Sequence, residues 1–362
     1  MGPAAVPDAV GTRRTRPWGR LALLAFGPVA LVTGLLGGLW RLGWEVPGGE
    51  LAEFHGPLMI SGLFGTVIGL ERAVALGGPA YAAPVAAALG TLALLAGAPD
   101  IGAALYVAAA AALAVASADI LRRQPAVFTA TLLLGAAAWL VGNILWLAGR
   151  PVADLAGWWL AFLVLTIAGE RLELSRLLVP KRGSLPLFLL GLALVLGGAS
   201  LGLAEASGAA LFGTGLIVAT LWLLRHDVAR RSIRGRGAPR FFAACMLAGY
   251  AWLAVAGALM ILAPPARAAF GYDLALHVVL IGFVLSMVFG HALIILPAVA
   301  RLRLGYTPLL YGPLVLLHAS VALRVAGGLG EWSAVRQASG ALTVLALVVF
   351  AAAILHGARR RR

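Results

Sequence analysis

Two histidines, His277 and His291, lie within the long apolar segment 273–298. A histidine inside a bilayer-spanning helix is costly unless it is paired, bound to a ligand or facing a cavity. Over 14 residues the helix turns until the second side chain points within about 40° of the first, with a rise of about 21 Å between them. Both histidines would therefore lie near one helix face. Imidazole is the commonest metal ligand in proteins and also carries protons. The segment therefore predicts a helix that presents imidazoles at two depths.

Two further histidines, His55 and His318, extend this pattern to other apolar runs. Counting the rise per residue predicts that His55 and His277 lie near one face of the membrane, the outer face. The same count places His291 and His318 at similar depths, about 15 Å from the inner face. All four are candidate metal ligands, and imidazoles from facing helices are typical axial ligands of haem. For the deeper pair, hydrogen bonds between helices are the alternative role.

Three other side chains bear on the cofactor. Arg324 is predicted at the outer end of the eleventh span, where it would pair with a haem propionate or extend to the membrane surface. Copper is a second candidate metal, because Met59 and Met287 each lie four residues from a histidine on the same helix face. Thioethers also serve as ordinary core filling.

Composition places these residues in a membrane protein. The chain of 362 residues is 62% hydrophobic and only 12% charged, whereas a soluble domain has about 25% charged residues. The single cysteine, Cys245, excludes a disulfide framework and a cysteine-rich metal site. We predict an all-α polytopic membrane helix bundle.

About 12 transmembrane helices are predicted from apolar runs of about 20 residues that are separated by charged residues or by prolines and glycines. Residues 19–356 would form a single transmembrane domain, preceded by a cytoplasmic tail at 1–18 and followed by a basic cytoplasmic tail at 357–362. The first apolar run is longer than the core of a signal peptide and is predicted to be retained. The predicted spans are 19–40, 55–76, 79–98, 101–121, 125–148, 154–176, 185–204, 206–225, 240–263, 272–298, 307–327 and 334–356.

The basic residues predict the orientation. All but five of the 28 Lys and Arg residues fall on one side if both termini are cytoplasmic, as the positive-inside rule requires. This distribution explains the net charge of +14, so nucleic acid binding is not predicted. The expected partners are the bilayer of a bacterial-type inner membrane and anionic lipids at its cytoplasmic face. Six tryptophans at outer ends fit an aromatic belt: Trp40, Trp44, Trp146, Trp158, Trp159 and Trp332.

Four segments of the chain resemble the NnrS family of twelve-span membrane proteins. They are EFHGPLMISGLFGTVIGLERAVAL in the second span, VLTIAGERLELSRLL at the end of the sixth, ALHVVLIGFVLSMVFGHALIILP in the tenth and YGPLVLLHASVALRVAG in the eleventh. The second span departs from the family pattern, because Gly56, Pro57 and Leu58 stand where a second His and a Glu are typical. The family is distantly similar to the main subunit of haem–copper oxidases.

The resemblance implies a haem-containing membrane protein, with copper in some cases, linked to nitric oxide metabolism or nitrosative stress. In the oxidases the low-spin haem is held between the second and tenth helices near the outer face, and His55 and His277 fall at those positions. The sixth and seventh spans lack the histidines that bind copper in an oxidase, so oxygen reduction is not predicted.

Three functions remain open from the sequence. The first is a b-type haem protein with His55 and His277 as axial ligands and Arg324 near a propionate, which favours electron transfer or sensing. The second is a proton-coupled transporter of small molecules that uses Glu71, Glu170, His291 and His318. The third is a structural or assembly protein in which the histidines only join helices. Whether the protein is an enzyme is left open, as is its oligomeric state.

Overall fold

The computed structural model describes residues 18–175, 184–301 and 304–359. Within these ranges it contains twelve helices long and apolar enough to cross a membrane, so the protein is an integral membrane protein. The helices are α1 (Trp18–Arg41), α2 (His55–Leu76), α3 (Gly78–Leu95), α4 (Pro99–Arg123), α5 (Val127–Leu147), α6 (Val152–Leu174), α7 (Ser184–Leu201), α8 (Ala206–His226), α9 (Gly237–Leu262), α10 (Gly271–Ala300), α11 (Pro308–Leu329) and α12 (Ser333–Ala358).

The predicted all-α bundle with twelve spans is confirmed, with boundaries that differ by a few residues. The predicted N-terminal tail lies outside the described residues except for Trp18, as do residues 360–362 of the basic tail. Below, the basic side is the side at which α1 begins, and the outer side is that at which it ends.

Helices α2, α6 and α10 form the centre of the bundle. In their most apolar windows 56%, 72% and 67% of the residues are buried, more than in any other span of the described chain. Consecutive helices pack side by side from α1 to α12, and α12 returns to α1. Because α10 also contacts α1, α2 and α6, the segment that carries His277 and His291 lies inside this ring.

Two of these central helices contain π-helical stretches. In α2 the stretch covers Leu58–Gly65, and in α10 it covers Val278–Leu285. A π-helix is rare and marks functional sites more often than chance, since it shifts the side chains that follow. Each stretch begins within three residues of an outer histidine, His55 or His277.

Each π-helical stretch packs a glycine against a tryptophan of a neighbouring helix. A Cβ on Gly65 would overlap the indole of Trp139 in α5, and a Cβ on Gly282 would lie 2.6 Å from the Cβ of Trp252 in α9. The Trp139 Nε1–H also donates a hydrogen bond to Ser61 Oγ in α2, at 2.9 Å. A glycine is therefore needed at both places for the close approach of two helices.

We expect Gly65→Ala to lower the free energy of unfolding by about 1–3 kcal/mol, because the added methyl group must displace a buried indole. The measurement is an equilibrium unfolding titration in mixed micelles. Gly312→Ala is the matched control, since a Cβ there meets no atom within 4 Å. Equal stability of the two variants would contradict the packing described here.

The predicted aromatic belt is correct only in part. Trp40, Trp44 and Trp332 are exposed, as membrane-interface residues are. Trp159 instead is 2% exposed, and its indole points into the bundle. Because Trp159 lies near the outer end of α6, its place in the sequence is compatible with an indole at the membrane interface and with one inside the bundle.

Candidate functional site

A cavity of about 110 Å³ lies between α1, α2, α6, α10, α11 and α12, toward the outer side. Its walls are mostly aliphatic and aromatic, with a few polar groups that converge on it, as in cofactor sites. Such sites have volumes of about 300–1,000 Å³, so a haem would require the lining side chains to move apart. Each of the six helices contributes side chains, among them Leu39, His55, Trp159, His277, Arg324 and Thr343.

The structure brings His55 and His277 together across this cavity. Their ring centroids are 6.0 Å apart and their planes are inclined by 17°. Imidazole nitrogens bind metal at about 2.0 Å, so two imidazoles on opposite sides of one ion have centroids about 6 Å apart. The separation is therefore compatible with one metal centre shared by the two rings.

Both rings use Nδ1 for a hydrogen bond to a main-chain carbonyl oxygen. His55 Nδ1–H donates to Gly34 O at 2.6 Å, and His277 Nδ1–H donates to Asp273 O at 2.9 Å. A hydrogen bond of this kind fixes the tautomer in which Nε2 is unprotonated, and it raises the basicity of that nitrogen. Each imidazole thus keeps Nε2 as its lone-pair donor.

Glycines of α1 make room for the side chains of His55 and Met59. A Cβ on Gly38 would lie 2.7 Å from His55 Cε1, and a Cβ on Gly34 would lie 2.9 Å from Met59 Sδ. His55 is the first residue of α2, and Pro57 is tolerated there because the first turn of a helix has no internal partner for its N–H groups. The ring is therefore held between the first turn of α2 and the glycine face of α1.

A buried ion cluster surrounds the Nδ1 side of His277. Asp273 accepts two hydrogen bonds from Arg324, at 2.7 and 3.1 Å, and one from Arg336 at 3.2 Å. Its Oδ1 also lies 3.0 Å from His277 Nδ1. The side chains of Arg324 and Arg336 are only 6% and 14% exposed. One carboxylate thus joins α10, α11 and α12 behind the imidazole.

The cluster carries a net positive charge. Two guanidinium groups face a single carboxylate, and the Arg336 Nε–H is buried without a hydrogen-bond partner among the described residues. The Arg336 guanidinium also lies 3.5 Å from the centre of the Phe270 ring. Of the two guanidinium groups, that of Arg324 lines the cavity, so Arg324 is the one placed to meet an acidic group of a bound molecule.

A hydrogen-bond network fixes the opposite wall of the cavity. Asn143 Oδ1 in α5 accepts from Trp159 Nε1 at 3.1 Å and from Ser61 Oγ at 3.0 Å. Asn143 Nδ2–H donates to Tyr106 O in α4 at 3.1 Å. The network lies in the protein interior and joins four helices, so it sets the position of the Trp159 indole against α2.

The deeper histidines do not share a site. His291 Nε2 accepts from Arg171 Nη2 in α6 at 2.8 Å, and its Nδ1–H donates to Met287 O at 2.7 Å. Because a guanidinium is always a donor, the lone pair of Nε2 is already in use. This hydrogen bond joins α6 and α10, and metal ligation by His291 stays a prediction.

His318 has a separate pair of partners. Trp252 Nε1–H donates to His318 Nδ1 at 3.0 Å, and His318 Nε2 lies 3.4 Å from Ser286 Oγ. The Ser286 hydroxyl in turn donates to Cys245 O at 2.7 Å. These contacts with other helices match the alternative role of the deep histidines, and metal ligation by His318 stays a prediction.

Other predicted residues lie on the basic side. Glu170 in α6 is close enough to Glu71 in α2 to interact with it electrostatically. No group of three or more His, Cys, Asp or Glu side chains in the described ranges has the arrangement of a metal site. Arg324 lines the outer cavity and pairs with Asp273, and its contact with a haem propionate stays a prediction.

Sequence reasoning missed Asp273, Arg336, Asn143 and Trp159 as parts of this region. Asp273 precedes His277 by four residues on the same helix face, and that spacing was a usable signal. The contributions of Arg336 and Asn143 depend on contacts between helices far apart in sequence, for which the sequence holds no comparable signal.

Comparison with known families gives one match. Residues 20–359 match the family described as Domain of unknown function (DUF8744). The chain belongs to this family. No curated protein and no solved structure matches it.

Proposed function

We propose that this protein is an integral membrane protein that binds a b-type haem through His55 and His277. The observation that carries the proposal is the pair of imidazoles whose ring centroids are 6.0 Å apart. In both rings Nδ1 is bonded to a main-chain carbonyl. This arrangement leaves Nε2 of each ring as the nitrogen that would bind the iron of a haem.

The number of protein ligands favours haem over a bare metal ion. A copper or zinc site needs three or four protein ligands, and no group of three His, Cys, Asp or Glu side chains in the described ranges could supply them. A haem supplies four nitrogen ligands itself and needs only two from the protein. Copper, the second predicted metal, would need a thioether as a further ligand, such as that of Met59, which lines the same cavity.

The charges at the cavity fit the acidic groups of a haem. Arg324 lines the cavity, and the cluster of Arg324, Arg336 and Asp273 keeps a surplus positive charge. Arg336 supports this charge from behind, since it is not among the lining residues of the cavity. Arg324 is therefore the guanidinium that would hold a propionate group of the haem.

Two imidazole ligands define what the site would do. A b-type haem held by His55 and His277 would supply a one-electron redox centre at this site. This favours electron transfer or sensing in the bacterial-type inner membrane, linked to nitric oxide or nitrosative stress as the NnrS resemblance implies. The basic side would then face the cytoplasm and anionic lipids.

The proposal is tested by extracting haem from the purified full-length protein and identifying it as the pyridine complex. Cells are supplied with ample haem during expression. We expect non-covalent haem b at about one haem per chain, as one pair of axial imidazoles requires. Protein that is folded but contains no haem would overturn the proposal.

We expect Gly38→Ala to reduce haem content by about tenfold, in the range seen when a group that orients a metal ligand is lost. The added Cβ would lie 2.7 and 2.9 Å from two atoms of the His55 ring, which must then move. The readout is haem per protein by absorbance. Gly19→Ala in the same helix is the control, since its Cβ meets nothing within 4 Å. Unchanged haem content in Gly38→Ala would show that the ring position does not matter.

A proton-coupled transporter is the second candidate. It is favoured by the polar groups that central helices place toward the basic side, the Arg171–His291 hydrogen bond and the interaction of Glu170 with Glu71. Charged groups inside a membrane bundle often line ion paths. Substrate-dependent proton flux in liposomes containing haem-free protein would support this function over the first.

A further inference from the structure

A second cavity, of about 510 Å³, lies on the basic side of the bundle, far from the histidine pair. It is formed where α2 ends, α3 begins and α4 ends, and we call it the α2–α4 groove. Its lining residues are mostly small or apolar, with three charged side chains at one end: Leu76, Gly77, Pro79, Ala80, Ala82, Ala112, Val115, Ala116, Asp119, Arg122 and Arg123.

The apolar wall of the groove faces the lipid. Val115 in α4 is 70% exposed and Leu76 at the end of α2 is 37% exposed. Ala112 and Ala116 lie one turn apart on the same face of α4. They form the floor of the groove between Val115 and Leu76, where their small side chains leave room. A surface of this shape at the edge of the hydrocarbon layer accommodates an acyl chain.

The charged end of the groove carries a surplus positive charge. Arg123 Nη2 lies 2.6 Å from Asp119 Oδ2, and both side chains are substantially exposed. Arg122 is also exposed, so the two guanidinium groups outnumber the single carboxylate. Gly77 and Gly78 lie at the mouth of the groove and have no side chain to cover it. Their φ values are 76° and 50°, and a Cβ at either position would meet no atom within 4 Å.

We propose that the α2–α4 groove is a binding site for an anionic phospholipid. The lipid phosphate binds Arg122 and Arg123, and one acyl chain lies along Leu76 and Val115. Basic pockets between helices on the cytoplasmic side of membrane proteins recognise anionic headgroups by this combination of charge and apolar wall. The site rests on the proposed orientation, in which the basic side meets anionic lipid, and it is independent of haem.

The test is native mass spectrometry of the full-length protein from mixed micelles that contain phosphatidylglycerol and phosphatidylcholine in equal amounts. For Arg122→Gln/Arg123→Gln we expect phosphatidylglycerol retention to fall at least about fivefold, since each basic residue at the surface contributes about that factor. Asp119→Asn, which frees Arg123, should raise retention. Ala116→Trp, which fills the floor without changing charge, should lower it.

Arg230→Gln/Arg231→Gln is the matched control, because both arginines are exposed on the same side but outside the groove. Retention by this control equal to that of the wild type supports the site. An equal loss in the two double variants would show that anionic lipid binds the basic side in general and would overturn the lipid site in the groove. Equal retention of both lipids by the wild type would overturn both that site and the proposed contact of the basic side with anionic lipid.

Discussion

His55→Ala and His277→Ala each remove haem from the protein, with haem content expected to fall by at least about tenfold. Each substitution deletes one of the two imidazoles whose ring centroids lie 6.0 Å apart, and no third imidazole is among the described side chains that line the cavity. Haem per chain, from absorbance of the purified variants, is the measurement. Imidazole added to the growth and purification buffers should restore part of the haem, because the deleted ring leaves a space of its own size.

His356→Ala is the matched control for these variants. His356 lies near the basic-side end of α12 and is not part of the cavity lining, so its haem content should equal that of the wild type. Full haem content in either His55→Ala or His277→Ala would show that the iron has other ligands. Loss of haem in all three variants would point to general destabilisation.

Asp273→Asn lowers the free energy of unfolding by about 3–5 kcal/mol, the cost of leaving buried charges without their partner. The carboxylate faces two guanidinium groups, Arg324 and Arg336, that are almost fully removed from solvent. A neutral amide cannot balance either charge. Equilibrium unfolding in mixed micelles measures the effect.

Asp154→Asn is the control for this prediction. Asp154 pairs with Arg150 at 3.0 Å near the outer end of α6, and the two side chains are 36% and 60% exposed. An exposed pair of this kind contributes below about 1 kcal/mol. Adding Arg324→Met and Arg336→Met to Asp273→Asn should recover most of the stability, because apolar side chains of similar size leave no unpaired charge. Equal losses for Asp273→Asn and Asp154→Asn would contradict the buried cluster.

The number of spans and the depth of the histidines could be predicted because both follow from distance along one helix. Apolar runs give the spans, and the rise per residue places His55 and His277 near the outer face. The structure adds that the two rings face one cavity. That neighbour relation depends on which helices pack together in the centre, and mean hydropathy does not separate the central helices from the peripheral ones.

The deeper histidines show the limit of this reasoning. His291 and His318 have similar predicted depths, yet they bond to Arg171 and to Trp252 on different helices. The rise per residue gives the position of a histidine along the helix axis. It does not give the direction in which the side chain points around that axis. The π-helical stretch Val278–Leu285, which the sequence did not predict, alters the rotation of every later residue of α10.

The most direct test of the central claim is the optical and electron paramagnetic resonance spectrum of the purified ferric protein. Two imidazoles on one iron leave no open position, so we expect a low-spin, six-coordinate b-type haem in the wild type. His55→Ala and His277→Ala should lose this signal, whereas His356→Ala should keep it. Haem-free folded protein, or a high-spin haem that persists in both ligand variants, would contradict the account.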